Sequence, residues 1–220
     1  MNSVRIRYKK SGLAIYTSHL DMNRCFTRAV RRAGIPLWYT EGFNPHPYLN
    51  FLLPLPLGQT GLSEPIDIRT EKDMPFDEIK ERLNKVLPEG IEIVDVAEAV
   101  NKVNTITSAK YIIEMEFETR GEAEGFAACT EAVMAEGVLN AEKKSKRGIK
   151  TVNLCEFISS SDIKNEGNKI VIEAILATGT EKNLSATLLT DTLCSEFGAD
   201  PSKTSITRTE IYMEGLRIFE

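Results

Sequence analysis

The stretch YTSHLDMNRCFTRAVRRAG, residues 16–34, carries the start, face and stop signals of one amphipathic helix. Ser18 is predicted to cap the helix, with Asp21 three residues later at the capping-box position. The helix then covers residues 19–33 and ends at Gly34. Its charged side is predicted to face away from the core. The apolar stripe consists of Met22, Phe26, Ala29, Val30 and Ala33.

Two extended segments are predicted on either side of this helix. Residues 4–8 alternate apolar side chains with basic ones, which predicts a half-buried strand with a basic outer face. Residues 35–39 predict a second strand. The segment that follows is rich in proline and aromatic residues and contains GFNPHP, residues 42–47. Prolines at 54 and 56 argue against a central, fully paired strand in the continuation over residues 51–57.

The rest of the chain predicts the same order of elements twice. In the first half a strand at 63–70, a helix at 75–86 and a strand at 91–96 complete a βαββαβ order. In the second half the elements are a strand at 111–119, a helix at 123–136, a strand at either 139–144 or 152–154, a strand at 169–176, a helix at 184–197 and a strand at 206–213. Helix stops are expected at Gly34, Gly90, Gly137 and Gly198.

This order predicts an α+β protein of two tandem ferredoxin-like domains. The N-terminal domain is assigned to residues 1–100 and carries both the SHLD and the GFNPHP motifs. The C-terminal domain is assigned to residues 108–220. No close internal sequence repeat accompanies the repeated order of elements.

Charge is distributed unevenly along the chain. Residues 1–60 hold eight Lys and Arg against two acidic residues, a net charge of +6. Because the whole chain carries −5, residues 61–220 carry −11. A basic segment in an acidic protein indicates a local anion-binding face, for which RNA is the first candidate.

Composition excludes several other classes. No apolar run approaches the roughly 20 residues that a membrane helix needs, and the N-terminus has no secretory signal pattern. The four cysteines are scattered, without the spacing of a metal site or a disulfide framework. The sequence therefore predicts a cytoplasmic protein with no metal and no cofactor.

The candidate ligand-binding residues combine basic and aromatic side chains. Arg24, Arg28 and Arg31 lie on one predicted helical face, where guanidinium groups can bind phosphate in a bidentate manner. Aromatic neighbours can stack on bases. The alternative is a solvated helix face in which Asp21 pairs with Arg24 or Arg28. The full predicted set is Arg7, Ser18, His19, Asp21, Arg24, Arg28, Arg31, Tyr39, Phe43, Asn44, His46, Lys146 and Arg147.

The two histidines of the chain lie in the two motifs. His19 and His46 are the only candidates for general acid–base catalysis, and each has a ligand-contact and a purely structural alternative. Flanking prolines hold His46 in a rigid loop. If the loops after the first two strands open on one edge of the sheet, Ser18, His19 and the GFNPHP loop form one anion pocket.

These motifs resemble those of the radical SAM-linked protein family, a bacterial domain of unknown function that accompanies or follows radical S-adenosylmethionine enzymes. The resemblance is dense over residues 1–70, in the YTSHLD, RRAGIP, EGFNPHP and PLPLG segments, and thinner beyond. Residues 143–154 also resemble the second-domain pattern. The resemblance implies a radical S-adenosylmethionine enzyme as partner. The chain has no Cys-x3-Cys-x2-Cys spacing, so it corresponds to the stand-alone partner half.

A looser resemblance, in fold only, is to the CRISPR repeat-processing endoribonucleases, which also have tandem ferredoxin-like domains. Their C-terminal glycine-rich loop is absent, since Gly215 is the only glycine among residues 199–220.

The leading expectation is an RNA-binding accessory module that acts in tRNA, rRNA or ribosome modification. The alternatives are a metal-independent endoribonuclease that uses His19 or His46 and a protein–protein adaptor. The sequence leaves the oligomeric state open.

Overall fold

The computed structural model describes residues 2–145, 148–179 and 182–220. The chain divides into two compact units, Met1–Val103 together with Glu220, and Asn104–Phe219. Both units combine helices with antiparallel strands, so the α+β class is confirmed. Within the described part of the chain, no helix is long and apolar enough to cross a membrane.

The first unit contains four strands and two α-helices. Strand β1 is followed by a short 3-10 helix, Gly12–Tyr16, and by helix α1. The bounds of the elements are β1 Asn2–Lys10, α1 His19–Arg32, β2 Leu49–Phe51, β3 Thr60–Thr70, α2 Phe76–Asn84 and β4 Ile91–Glu98.

The sheet of this unit has the order β4-β1-β3-β2, with antiparallel neighbours. Ile6 at the centre of β1 pairs with Ile66 on one side and with Val96 on the other. Ile6 and Ile66 are fully buried because α1 and α2 supply an apolar layer over this face of the sheet.

Helix α1 forms as its sequence predicts. The Ser18 hydroxyl accepts a hydrogen bond from the backbone N–H of Asp21, which satisfies one donor of the first turn. The helix ends at Arg32, and Gly34 follows with a φ of +67°. All five residues of the predicted stripe are buried, namely Met22, Phe26, Ala29, Val30 and Ala33.

The second strand is not where the sequence predicts it. Residues 35–39 make only isolated bridges, Leu37 with Thr70 and Tyr39 with Pro47, and the strand proper is β2. The GFNPHP loop therefore precedes the second strand instead of following it. Pro36, Pro45 and Pro47 lack backbone N–H donors, so this segment cannot form a continuous ladder.

The basic outer face predicted for β1 is wrong in part. Arg5 is 1 % exposed and Arg7 is half-buried. Lys10, which lies outside the predicted residues 4–8, is also 1 % exposed. The Lys10 Nζ donates to the carbonyl of Thr17 at 2.9 Å, which ties the end of β1 to the residue before Ser18. Burial lowers the pKa of Lys10, and the nearby Glu64 carboxylate opposes this shift.

The second unit has its main sheet in the order β10-β5-β9-β8. Residue pairs such as Ile113 with Ile172 and with Ile206 lie at its centre. The bounds of the elements are β5 Ile106–Glu116, α3 Arg120–Glu136, β6 Asn140–Ser145, β7 Gly148–Asn153, β8 Ile158–Glu166, β9 Lys169–Ala177, α4 Ala186–Phe197, β10 Lys203–Met213 and β11 Arg217–Ile218.

The sequence predicts the first strand after α3 at either 139–144 or 152–154, and both segments belong to a separate hairpin. Strands β6 and β7 pair with each other, whereas β8 pairs with β9. The sequence of β8, ISSSDIKNE, is polar on both faces, so its hydrophobic pattern is too weak to predict a strand. Helices α3 and α4 end at Gly137 and Gly198 in the left-handed conformation, as predicted.

Candidate nucleic-acid interface

A groove of about 590 Å³ lies between helix α1 and the segment that follows α2. The α1 wall carries the charged side of the helix, and the other wall is the turn from Lys85 to Pro88. The residues that line the groove are Asp21, Arg24, Cys25, Arg28, Ala29, Arg32, Lys85, Val86, Leu87 and Pro88.

Four basic side chains surround this groove against one acidic side chain. Arg24, Arg28 and Arg32 follow one another at four-residue intervals, so they form one row along α1. Lys85 faces them from the end of α2. Arg32 also donates from Nη2 to the carbonyl of Val86 and so bridges the two walls. The groove is therefore a basic cleft with the dimensions and charge to hold phosphate groups.

Two side-chain hydrogen bonds hold Asp21 in the groove wall near the N-terminus of α1. The Ser18 hydroxyl donates to Asp21 Oδ2 at 2.7 Å, and Arg24 Nη1 donates to Oδ1 at 3.3 Å. The hydrogen bond from Ser18 lowers the pKa of the Asp21 carboxyl, and Arg24 adds to the shift. Asp21 therefore stabilises the helix terminus and orients Arg24. The sequence allows Asp21 to pair with either Arg24 or Arg28. In the structure this carboxylate pairs with Arg24 and does not engage Arg28.

The one thiol in the groove is held in its neutral form. Burial raises the pKa of Cys25, although the positive charges of Arg32 and Arg28 act in the opposite direction. Burial is the stronger effect, so Cys25 is a poor nucleophile here.

His19 lies at the first turn of α1, beside an exposed apolar surface. Its ring contacts Phe51 edge-on, with 5.2 Å between ring centroids. Gly58 N donates to the carbonyl of Ile15 at 2.9 Å, which brings the loop after β2 against the 3-10 helix. The exposed apolar side chains on these neighbouring segments are Leu13, Tyr16, Leu20 and Leu57.

His46 is fixed by its own loop. Its Nδ1 lies 3.1 Å from both the carbonyl oxygen of Asn44 and the hydroxyl of Thr40. A carbonyl oxygen can only accept, so Nδ1 is the donor in the contact with Asn44. Thr40 also accepts from the backbone N–H of His46 at 3.2 Å. His46 is exposed, so its ring can contact a ligand in an orientation that the loop already fixes.

Aromatic side chains are exposed around the GFNPHP loop. Phe43 is fully exposed, and Tyr39 lies with its hydroxyl 3.5 Å from Arg31 Nη2. Arg69 lies over the ring of Tyr48, 4.3 Å from its centroid, and also contacts Trp38. Exposed rings beside guanidinium groups are typical of surfaces that bind unpaired bases.

The predicted single pocket for both histidine motifs loses its basis. The GFNPHP loop does not leave the C-terminal end of the second strand: His19 contacts Phe51 at the C-terminal end of β2, whereas His46 lies before the first residue of β2. The loop that contacts the 3-10 helix before α1 is the one that follows β2 and contains Gly58.

The remaining predicted residues are distributed over other parts of the chain. Arg7 lies in β1, paired in register with Pro65 and Asp95, and Arg31 is exposed outside the groove. Lys146 and Arg147 lie outside the described residues. Two groove residues were missed by sequence reasoning. The four-residue interval from Arg28 points to Arg32, whereas no local signal identifies Lys85, which reaches the groove through the packing of α2.

Comparison with known proteins gives a family and a distant likeness in fold. Residues 3–186 match the model of DUF2344, described as an uncharacterised protein conserved in bacteria. None of the curated proteins compared with this chain matches it. A chain from the crystal structure of a Cbf5-Nop10-Gar1 complex is similar with a TM-score of 0.52 and 10% identity, over 94% of this chain and 48% of that chain.

This chain therefore spans about half the length of that neighbour, and the likeness concerns the fold alone. A second structure, of an unknown protein from Galdieria sulphuraria, aligns over 94% of this chain and 98% of that chain with 11% identity and a TM-score of 0.25.

Proposed function

The chain belongs to DUF2344, a family of uncharacterised proteins conserved in bacteria, and we propose its function from the basic groove. The protein is an RNA-binding accessory module that acts with a radical S-adenosylmethionine enzyme in the modification of tRNA, rRNA or the ribosome. The observation that carries the proposal is the row Arg24, Arg28 and Arg32 facing Lys85 across one cleft.

The charge and shape of the groove favour a nucleic-acid backbone. Arg24 has a side-chain exposure of 61 %, so its guanidinium reaches solvent while its stem lies on the helix. Three guanidinium groups in a row can contact successive phosphates, which a single small anion would not require. A net charge of +6 on residues 1–60 supports attraction of a polyanion to an otherwise acidic protein.

The exposed rings favour unpaired nucleotides over a duplex. Phe43 and Tyr39 offer faces or edges that bases can stack on, and Arg31 stands beside Tyr39. Bases in a duplex are already stacked, so such contacts are available to loops and single strands.

The partner enzyme is proposed from the resemblance of the YTSHLD and GFNPHP segments to the radical SAM-linked family. Exposed apolar side chains near the YTSHLD segment favour binding of another protein at this surface. Leu13 is 88 % exposed, and Tyr16, Leu20 and Leu57 are exposed on adjoining segments. The same observation favours the second candidate function, a protein–protein adaptor for such an enzyme that binds no RNA.

We also propose that each unit is a ferredoxin-like domain, with domains at residues 1–100 and 108–220. Supporting this, the sheet order β4-β1-β3-β2 in the first unit is matched by β10-β5-β9-β8 in the second. In both, two helices connect the strands in the βαββαβ order, with the β6–β7 hairpin as an addition.

The test is a titration of a fluorescently labelled single-stranded 20-nucleotide RNA and of bulk tRNA at 50 mM NaCl. We expect the double variant Arg24→Ala with Arg28→Ala to weaken binding by roughly 1–3 kcal/mol, or about 5- to 150-fold. The dependence of log affinity on log salt becomes shallower as phosphate contacts are lost.

Arg120→Ala is the control, because it removes an exposed arginine of α3 that does not line the basic groove. It is expected to weaken binding less than the double variant does. If the wild-type chain binds neither RNA, the RNA-binding proposal fails and the adaptor function is favoured. If all arginine variants weaken binding equally, the groove is not the site.

A further inference from the structure

The second unit contains a groove of about 580 Å³ with a character opposite to that of the basic groove. Its floor is formed by aromatic rings and its rim by carboxylates. We call it the acidic groove. Its lining residues are Phe117, Glu118, Glu122, Gly125, Phe126, Cys129, Phe197, Gly198, Ala199 and Asp200.

We propose that the acidic groove binds an arginine side chain presented by a partner polypeptide. The aromatic floor would accommodate the apolar stem and the flat face of the guanidinium, and the rim would hold its charge. The acidic groove shares no lining residue with the basic groove.

The floor is preorganised by ring packing. Phe126 contacts Phe117 with 5.2 Å between centroids and Phe197 with 5.6 Å. Phe117 and Phe126 are buried, so their positions are set by the core of the unit, and the half-buried Phe197 is the ring that a side chain from outside can contact. Guanidinium groups stack on such rings and are more weakly hydrated than ammonium groups, which favours arginine over lysine.

Where α3 borders the groove, the lining residue Gly125 has no side chain. A Cβ added at Gly125 would meet no heavy atom within 4 Å. Gly in the middle of a helix costs about 1 kcal/mol relative to Ala. The space it leaves is thus open to a side chain from outside.

The rim has a single sign of charge. None of the described residues that line the acidic groove is Lys or Arg. The Glu122 carboxylate already accepts a hydrogen bond from the Thr119 N–H at 3.1 Å in the capping box of α3, so only part of its hydrogen-bonding capacity is available to a ligand. Glu118 and Asp200 are exposed, and within the described ranges neither forms an ion pair. They are the carboxylates available to a cation.

The end of helix α4 adds to the negative field. The helix terminates at Phe197, with Gly198 as its C-cap, so its carbonyl end borders the groove. The C-terminus of a helix carries a partial negative charge that favours cations. An apolar floor with a carboxylate rim and a helix C-terminus complements a guanidinium on an apolar stem in shape and in charge.

The experiment is a titration of the full 15N-labelled chain with the peptide acetyl-Gly-Leu-Arg-Leu-Gly-amide. The reference peptide carries citrulline in place of arginine, which keeps the shape and removes the charge. We expect the arginine peptide to shift the backbone amide signals of Gly125, Cys129 and Gly198 and to bind at least tenfold more tightly than the citrulline peptide. It should also slow alkylation of the exposed Cys129 thiol by iodoacetamide.

Two variants test the two parts of the site. Gly125→Leu fills the groove, and Glu118→Gln with Asp200→Asn removes rim charge without changing volume. We expect each to weaken arginine-peptide binding at least fivefold. Ala135→Leu is the matched control, since Ala135 is exposed on the same helix about 15 Å further along. It should leave the affinity unchanged.

The outcomes separate the possible occupants. Equal binding of the two peptides, or shifts outside the groove residues, overturns the proposal. If the wild-type chain dimerises in sedimentation and Gly125→Leu is monomeric, the occupant is a second copy of this chain and the proposal is also overturned. The charge variant retains the groove shape, so it remains decisive if Gly125→Leu does not fold.

Discussion

Arg5 and Asp67 face each other across β1 and β3, and the guanidinium donates from Nε to Oδ1 at 2.8 Å and from Nη2 to Oδ2 at 3.0 Å. The same guanidinium donates to the carbonyl of Asn101 at 2.7 Å and to that of Glu220. One buried arginine thus joins two strands to residues near the end of the first unit. Its charge is used within the fold and is not available to a ligand.

Arg5→Ala is expected to destabilise the protein by roughly 3–5 kcal/mol, the range for removing one partner of a buried ion pair. The Arg5 side chain is 2 % exposed and that of Asp67 is 18 % exposed, so the carboxylate left behind is largely desolvated. Urea unfolding monitored by circular dichroism measures the change. Arg24→Ala, which breaks an exposed pair, should shift the urea midpoint little. Equal shifts for the two variants would contradict this assignment.

The faces of β1 show what sequence pattern can and cannot supply. The alternation of Val4, Ile6 and Tyr8 predicted the buried face correctly, because the period of a strand is fixed by its geometry. The burial of Arg5 depends on a partner 62 residues away, and no local pattern carries that information.

Gly90→Ala is expected to cost roughly 2–4 kcal/mol of stability. Gly90 has a φ of +84°, and an added Cβ would lie 2.4 Å from the Ser11 carbonyl oxygen and 2.9 Å from the Ala14 Cβ. Ser11 N also donates to the Gly90 carbonyl at 2.8 Å, so the two backbones cannot separate without losing a hydrogen bond. Thermal unfolding followed by calorimetry measures the effect.

Gly121→Ala provides the contrast. Gly121 lies in α3 with no heavy atom within 4 Å of an added Cβ, so alanine is expected to stabilise the protein by about 0.4–1 kcal/mol. A stabilising Gly90→Ala would show that the close approach to Ser11 is absent in solution.

Glu173 is expected to titrate at about 2, far below its ordinary value of 4.5. The hydrogen bond from Lys164 at 2.8 Å is the largest cause, and Lys110 adds a second contact at 3.0 Å. Because the pKa is lowered in the folded state, this carboxylate stabilises the fold above pH 4.5. That contribution is lost as the pH falls from 4.5 toward 2.

Carboxyl-detected NMR titration measures the midpoint directly. Lys164→Gln should move the Glu173 pKa upward, toward its ordinary value. Lys203→Gln serves as control, since Lys203 pairs with Glu116 and should leave Glu173 unchanged. A Glu173 midpoint that is ordinary in the wild type would show that these ion pairs do not persist in solution.

His19→Ala and His46→Ala are each expected to leave RNA affinity within about threefold of wild type, less than a lost charge-assisted contact would cost. Neither ring lines the basic groove, and His46 is held by Thr40 and Asn44. Binding titrations at 50 mM NaCl check this, and RNA integrity on a denaturing gel is the companion measurement. Cleavage by the wild type that either substitution abolishes would favour the nuclease alternative.

The candidate site was predictable where it depends on one helix. The spacing of Arg24 and Arg28 and the cap at Ser18 follow from the 3.6-residue period and from capping chemistry. The position of β2 was not predictable in this way, since residues 35–39 have a stronger strand pattern than Leu49–Phe51 and form only bridges. Because of that one misplaced strand, the sequence predicts the wrong loop beside the start of α1.

Asn153 closes the base of the β6–β7 hairpin with a single side chain. Its Oδ1 accepts from Leu139 N at 2.9 Å and from Cys155 N at 3.2 Å, and its Nδ2 donates to the Gly137 carbonyl at 2.8 Å. Chain entry and exit are thus fixed at one point, whatever the length of the arm beyond it. Shortening the hairpin beyond the buried Ala141 should therefore leave the α3–β8 connection intact.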